Sequence, residues 1–413
     1  MKTAGIIAEY NPFHNGHQFH MEETRRLTGA DYIVVALSGS FVQRGAPALL
    51  NKYDRARLAL LGGADLVFEL PVTSALQSAE GFATGGICLL SGLGVVDEVS
   101  CGCELAGSDP DSFSQVVKLL LDEPPAYKKH LASDLTKGMS FPKARESAVT
   151  ACLGEDAARL LSGPNDILAL EYAKAIQKSD SDMHLTLIPR RGSSHESGSI
   201  SDGYSSATAI RNLLLTSDAA NISDLLRPNV PEESYTFLME SFREHRCLGE
   251  HDFSDLLFYA LTKSRAQLND FGPANSDLAG RTANQLEHFT GWTEFAALLK
   301  TRNRTYTAIS RYLTHILLGI RREDLALAAK YHGAPYARLL GLRKEASPVL
   351  KAIRQNADIP ILTRPAHDRQ TLNKTQSRLF ELDLQASEIY RQLLQSRSGY
   401  EIKSELRQPL ITI

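Results

Sequence analysis

The chain has 413 residues, room for two or three domains and a sizeable core, and its 43% hydrophobic and 23% charged content is that of a soluble globular protein. A net charge of −3 at pH 7 argues against a chain that is basic throughout, while leaving room for a local patch. Five irregularly spaced cysteines (Cys88, Cys101, Cys103, Cys152, Cys247) fit reduced thiols rather than a disulfide framework; with no signal-peptide core and no apolar stretch near the ~18 residues that span a bilayer, the expected location is the cytoplasm, off the membrane.

The first expected strand, Ala4–Glu9, delivers Glu9-Tyr10-Asn11-Pro12-Phe13 and then His14-Asn15-Gly16-His17, an H-x-G-H element at a strand end. Gly16 removes a side chain where a phosphate would approach the backbone, and His14 and His17 flank that gap as donors. A helix starting at about Gly16 aims its free N–H groups and positive dipole end at the same anion. Two imidazoles and a helix start suit a triphosphate whose charge grows as pyrophosphate leaves. In isolation such a motif is also an ordinary polar turn. Its place after the first strand of an α/β pattern favours a ligand site.

Further strands are expected at Tyr32–Leu37, Leu66–Leu70, Val95–Ser100 and His184–Pro189, with amphipathic helices between them, which predicts an α/β, doubly wound parallel sheet. Ser38–Ala48 follows the second strand with small residues, an aromatic and Arg44, as a pocket wall would. Lys52 and Arg55 are either phosphate ligands or a solvated helix start, before a helix Asp54–Leu61 stopped by Gly62-Gly63. Glu69 is the carboxylate best placed to face the cleft, with a buried or capping role at least as well supported. Gly102, just after the fourth strand, lets an adenosine lie against backbone. Cys101-Gly102-Cys103 lacks a second ligand pair, and no metal site is expected. Residues at about 110–162 read as a helical insertion, and Asn165 or Asp166 is the expected N-cap of a helix Ile167–Ile176. Arg190-Arg191 ends the last strand. Ser193–Ser206 is a long loop, either a passive linker or a lid. Ser205, Ser206, Thr208 and Arg211 then open a helix as a second anion site. Past Pro228 the pattern turns helical without convincing strands, through to about Leu394, and the boundary is placed near Leu226–Glu232.

Taken alone, the first of these pieces resembles the H-x-G-H nucleotidyltransferase superfamily. Together with S-G-x-F-V-Q-R-G-x-P-A, A-D-L-V-F-E-L-P, P-N-D-I-L-A-L-E-Y and S-S-A-T-A-I-R, the chain is similar to the bacterial tRNA(Met) cytidine acetate ligase family, strongly over its first half and more loosely through Arg302–Leu318 and Leu379–Tyr390. The resemblance implies a nucleotidyltransferase-type sheet. It implies activation of acetate by ATP, with Mg²⁺, to acetyl-adenylate, and acetylation of N4 of the wobble cytidine of elongator tRNA(Met). It implies an ATP site of Ile7, Ala8, Glu9, Tyr10, Asn11, Pro12, Phe13, His14, Asn15, Gly16, His17, Gln18, Phe19 and His20, completed by Gly102, Asn165 and Arg190, with His14 and His17 catalytic. The chain departs from the I-S-S-T-x-I-R loop of related nucleotidyltransferases at Ala207.

Residues 1–226 are accordingly expected to form the ATP-binding domain and 227–413 an α-helical tRNA-binding domain. Between Lys300 and Arg354, twelve Lys/Arg stand against three acidic residues, a local excess of nine positive charges in a chain of net −3. With Tyr306, Tyr312, Tyr331 and Tyr336 for stacking, the block suits a phosphate backbone and splayed bases, or else a solvated face over core tyrosines. Arg302, Arg304 and Arg311 are its candidate tRNA contacts. Two other readings stay open: an adenylyltransferase acting on a small phosphorylated substrate, which leaves the basic half unexplained, and a non-catalytic tRNA-binding protein, which leaves the H-x-G-H cleft idle.

Overall fold

The computed structural model describes residues 1–105, 109–179, 181–190, 200, 203–216, 221–272 and 275–413. The apolar run after Lys2 forms β1 (Thr3–Ala8) and leads into α1 (Asn15–Thr28). There follow β2 (Tyr32–Ser38), a small hairpin of β3 (Phe41–Val42) and β4 (Ala46–Pro47), α2 (Lys52–Leu61) and β5 (Leu66–Leu70). After α3 (Val72–Ala75) and α4 (Ala79–Gly92) comes β6 (Glu98–Cys103). The expected insertion is α5 (Pro110–Asp122), α6 (Pro125–Thr136), α7 (Phe141–Leu153) and α8 (Glu155–Ala158). α9 (Pro164–Lys178), β7 (His184–Pro189) and α10 (Ala207–Thr216) complete this half.

The strand order is β10-β8-β5-β2-β1-β6-β7, with β9 pairing β8. β1 pairs β2 and β6 in parallel, so the chain builds outward from β1 to one side and then to the other. The topological switch point is therefore between β1 and β6, and the carboxyl ends of these two strands are where an open parallel sheet leaves a crevice. Alternate residues of the central strands feed the two faces: Ile33 and Val35 pack with α1 and α2, Val34 and Ala36 with α4 and α9.

Three expectations are corrected. The fourth strand begins three residues later than Val95 and runs to Cys103, because Asp97 is engaged with Thr3 and pairing with β7 extends from Glu98 through Cys103; Gly102 is therefore inside the strand rather than after it. The helix expected at Ile167 starts at Pro164 with Gly163 as its N-cap and no side-chain cap. Asp166 is instead buried and accepts from the amides of Glu104 and Leu105, tying β6 to α9. Third, the second half is not free of strands.

That half contains α11 (Ile222–Leu226), α12 (Glu232–Arg243), α13 (Ser254–Lys263), α14 (Ser276–Gln285), α15 (Trp292–Leu299), α16 (Tyr306–Leu318) and α17 (Arg322–Ala329). Then β8 (Ala337–Leu342) enters the central sheet antiparallel to β5, followed by α18 (Ser347–Asn356), β9 (Ile361–Leu362), α19 (Pro365–Asp368), the long α20 (Lys374–Ser398) and β10 (Ile411–Thr412). A strand buried on both faces lacks the alternation that betrays a half-exposed one, and six residues are too few for periodicity to register.

The buried centre where the two halves meet is charged. Lys52 and Arg338 both bridge Glu69 (2.6 and 3.2 Å), and both also pair with Glu405. Arg55, fully buried, donates to the carbonyls of Glu9, Ser38 and Leu50. Lys52 and Arg55 are thus internal struts, neither phosphate ligands nor a solvated helix start, and Glu69 takes the buried role rather than facing the cleft. Gly45, at φ 77°, lets the hairpin approach α16: a Cβ there would collide with the backbone nitrogen of Arg311.

Candidate functional site

A cleft of about 360 Å³ opens over the carboxyl ends of β1 and β6. One end of it is made by the turn before α1. His14 is the N-cap of that helix: its Nδ1 accepts from the Gly16 amide at 3.0 Å, and Nδ1 of His17 accepts from the His14 amide at 3.3 Å. The rings stack with centroids 3.8 Å apart. An imidazole that accepts at Nδ1 carries its proton on Nε2, so the cap fixes both histidines as Nε2–H donors. A Cβ on Gly16 would sit 2.8 Å from the His14 ring. The glycine therefore makes room first for the histidine that caps it.

Of the residues expected here, Ile7 to Asn11, His14, Gly16, His17, Phe19, His20, Gly102, Asn165, Arg190, Ser205, Ser206 and Arg211 line the cleft. Pro12 and Phe13 are buried beside it, with a cis Asn11-Pro12 bond. Asn15 donates to the carbonyls of Gly203 and Pro228, and Gln18 donates to Glu22, so neither side chain is spent on the cleft. Thr208 is not among the lining residues and accepts from Arg211 at 3.0 Å. Ser206 caps α10 by accepting from the Ala209 amide. Arg191 and, within the Ser193–Ser206 loop, residues 193–199, 201 and 202 fall outside the described residues.

Charge in the cleft is arranged by the strand ends. Arg190 lies along Gly102, where a Cβ would be 3.3 Å from its Cγ. Burial first, and Arg190 second, lower the His20 pKa from 6.5 to about 4. Its Nε2 is 2.8 Å from the Ser100 hydroxyl, which in turn bonds Thr24. Arg44, from the hairpin, joins Arg190 and Arg211 as a third guanidinium. Among the described residues there is no cluster of three His, Cys, Asp or Glu side chains fit to hold a metal.

Sequence reasoning missed the far wall: Ala79 and Phe82 of α4, and Leu168 and Tyr172 of α9. The available signal was spacing, since Asn165, Leu168 and Tyr172 share one helical face at i, i+3 and i+7.

The basic block is less uniform than its charge count. Tyr312 and Tyr336 are core residues, 0% and 1% exposed, with hydroxyls donating to the Leu268 carbonyl and to Asp383; they cannot stack on a base. Arg338 is buried in its ion pairs. Arg311 is half-buried and donates to the Gln43 carbonyl. Arg302 is exposed and Arg304 half-buried. No helix among the described residues is long and apolar enough to cross a membrane.

The sequence model of the HIGH nucleotidyl transferase family matches residues 1–405. The chain is 33% identical over 394 residues to the tRNA(Met) cytidine acetate ligase of Acetivibrio thermocellus, covering 94% of each chain. It is 34% identical over 431 aligned positions to that of Thermosipho melanesiensis, covering 100% of this chain and 99% of the relative. The crystal structure of apo Thermotoga maritima TmcAL superposes with a TM-score of 0.93 at 31% identity, all of both chains being covered. The form of TmcAL bound with alpha-thio ATP gives 0.90 at 30% identity, again over both whole chains.

Proposed function

The chain belongs to the HIGH nucleotidyl transferase family and to its tRNA(Met) cytidine acetate ligases, and from that premise we propose that it joins acetate to N4 of the wobble cytidine of elongator tRNA(Met) at the expense of ATP. The observation that carries this reading is the paired-histidine cap at the switch point of the sheet. It presents two Nε2–H groups and a helix N-terminus to one spot.

ATP binds with its adenosine against Gly102 and Arg190 and its phosphates at the α1 turn. An acetate oxygen attacks the α-phosphorus, forming acetyl-adenylate and releasing pyrophosphate. His14 and His17 donate to the charge that grows on the leaving phosphates, and Arg44 and Arg211 neutralise it. Mg²⁺ would supply charge neutralisation at the triphosphate, since that ion usually relies on substrate phosphates rather than on an all-protein cage. The cytidine amine then attacks the acetyl carbon and AMP leaves. An anticodon loop presents that base unpaired, which spares the unstacking a duplex would demand.

Residues 1–226 supply the nucleotide site, and residues 227–413 supply the cationic surface for tRNA, with Arg302 and Arg304 on its open side and Arg311 nearer the cleft. The tRNA substrate sets the activity in the cytoplasm. Acetate-dependent exchange of pyrophosphate into ATP, run with and without tRNA, tests the reading. Exchange that needs acetate supports it. Exchange that needs a different, phosphorylated substrate makes the chain a cofactor-type adenylyltransferase, and no exchange at all makes it a binding protein.

A further inference from the structure

Triphosphate binding leaves one group of the cleft unexplained. Glu9, at the carboxyl end of β1, is the one acidic side chain among the described residues lining the cleft, in a wall that also carries Arg44, Arg190 and Arg211. A carboxylate beside a phosphate is repelled, so its place calls for a partner that brings a donor. One Glu9 oxygen accepts from the Gln43 amide at 2.8 Å, which leaves the second with acceptor capacity. On the α4/α9 face, Tyr172 lines the same cleft while only 4% exposed. Its hydroxyl has no hydrogen-bond partner among the described residues. Burial, then Cys101 and Glu9, hold this phenol well above its ordinary pKa, so it remains a donor. Ile7, Phe82 and Leu168 give that end of the cleft an uncharged surface fit for a methyl group.

We propose that Glu9 is the proton acceptor of the acetyl-transfer step and Tyr172 the donor to the acetyl oxygen, so that cytosine and acetyl group meet on the α4/α9 side of the cleft. The proposal rests on the ligase reading above. Cytosine presents N4 as a donor, and Glu is a side chain suited to accept from it. The N4 lone pair forms the bond to the acetyl carbon. The bond from that carbon to the phosphate oxygen breaks, and its electron pair leaves with AMP. The proton lost from N4 passes to Glu9 and then to water. Tyr172 hydrogen-bonds the carbonyl oxygen while it carries negative charge in the tetrahedral stage.

The test measures the two half-reactions separately on the full chain: acetate-dependent pyrophosphate exchange, and single-turnover transfer from added acetyl-adenylate to tRNA. Glu9→Gln keeps the oxygen that accepts from Gln43, so a merely structural role predicts little change in either. The proposal predicts that it slows transfer on the order of 100-fold more than exchange, with Glu9→Asp intermediate. Tyr172→Phe is expected to shift the same ratio in the same direction by roughly 100-fold. Equal slowing of both half-reactions by Glu9→Gln overturns the proposal, as does slowed exchange with a raised Mg²⁺ requirement, which would make Glu9 a ligand of the metal on ATP. Loss of both half-reactions in the wild-type chain would overturn the ligase reading itself.

Discussion

Arg211 donates a 2.6 Å hydrogen bond to the carbonyl oxygen of Asn11, 200 residues earlier in the chain. This bond ties the start of α10 to the turn before α1, and the bond from Arg211 to Thr208 fixes the other arm of the guanidinium. Replacing Arg211 by Met removes a cation from the phosphate end and leaves the Asn11 carbonyl unpaired. A charged hydrogen bond contributes about 1.5–3 kcal/mol, so KM for ATP in pyrophosphate exchange should rise roughly 10- to 100-fold. Arg211→Lys should rescue only part of this, because a point ammonium cannot hold both acceptors. An unchanged KM would contradict the assignment.

His14 and His17 have separable roles. His14→Ala removes the N-cap of α1, a loss of about 1 kcal/mol readable by thermal unfolding, together with one donor. His17→Ala removes a donor to the leaving phosphates and should slow adenylate formation by about 100-fold or more while tRNA affinity is kept. Equal loss of both functions would refute the division of labour.

His20 should stay neutral in the folded protein down to about pH 4. The unfolded chain takes up that proton first, near 6.5, so this residue's contribution to stability falls as pH drops from about 6.5 to about 4. Histidine NMR titration checks it. In Arg190→Met the His20 pKa should rise but remain below 6.5, since burial is the larger cause. A His20 that titrates near 6.5 in the wild type would contradict the buried placement.

The buried cluster of Lys52, Glu69, Arg338 and Glu405 joins the two halves of the chain. Glu69→Ala leaves two buried cations sharing one carboxylate, and breaking such a pair costs about 3–5 kcal/mol. Urea unfolding should show a loss of that order. A loss under about 1 kcal/mol, the range of exposed pairs, would mean that water reaches the cluster.

What could be read from the sequence was what is local. The H-x-G-H turn, the helix it opens and the Leu66–Leu70 strand depend on neighbours within a few residues. β8 was illegible for the opposite reason. Arg338 sits in its middle, and a cation in a short run reads as surface until Glu69 and Glu405, 269 and 67 residues away, are placed beside it. The same holds for Tyr312 and Tyr336, whose hydroxyls are satisfied by distant groups. Lys52 and Arg55 read as phosphate ligands or a solvated helix start because a cation at a helix start usually faces water, whereas here they are buried, Lys52 against Ser387 and Glu405 of the second half.

The tRNA surface is testable by charge reversal. Arg302→Glu with Arg304→Glu should weaken tRNA binding and lower the slope of log K against log salt by about one for each phosphate that is no longer neutralised, leaving ATP binding as it was. Unaltered tRNA affinity would move the RNA surface elsewhere.

The most direct test of the central claim is transfer of label to elongator tRNA(Met) from radiolabelled acetate with ATP and Mg²⁺, run beside radiolabelled acetyl-CoA. Labelled N4-acetylcytidine is expected from acetate alone, dependent on ATP. Transfer from acetyl-CoA without ATP, or from neither donor, would contradict it.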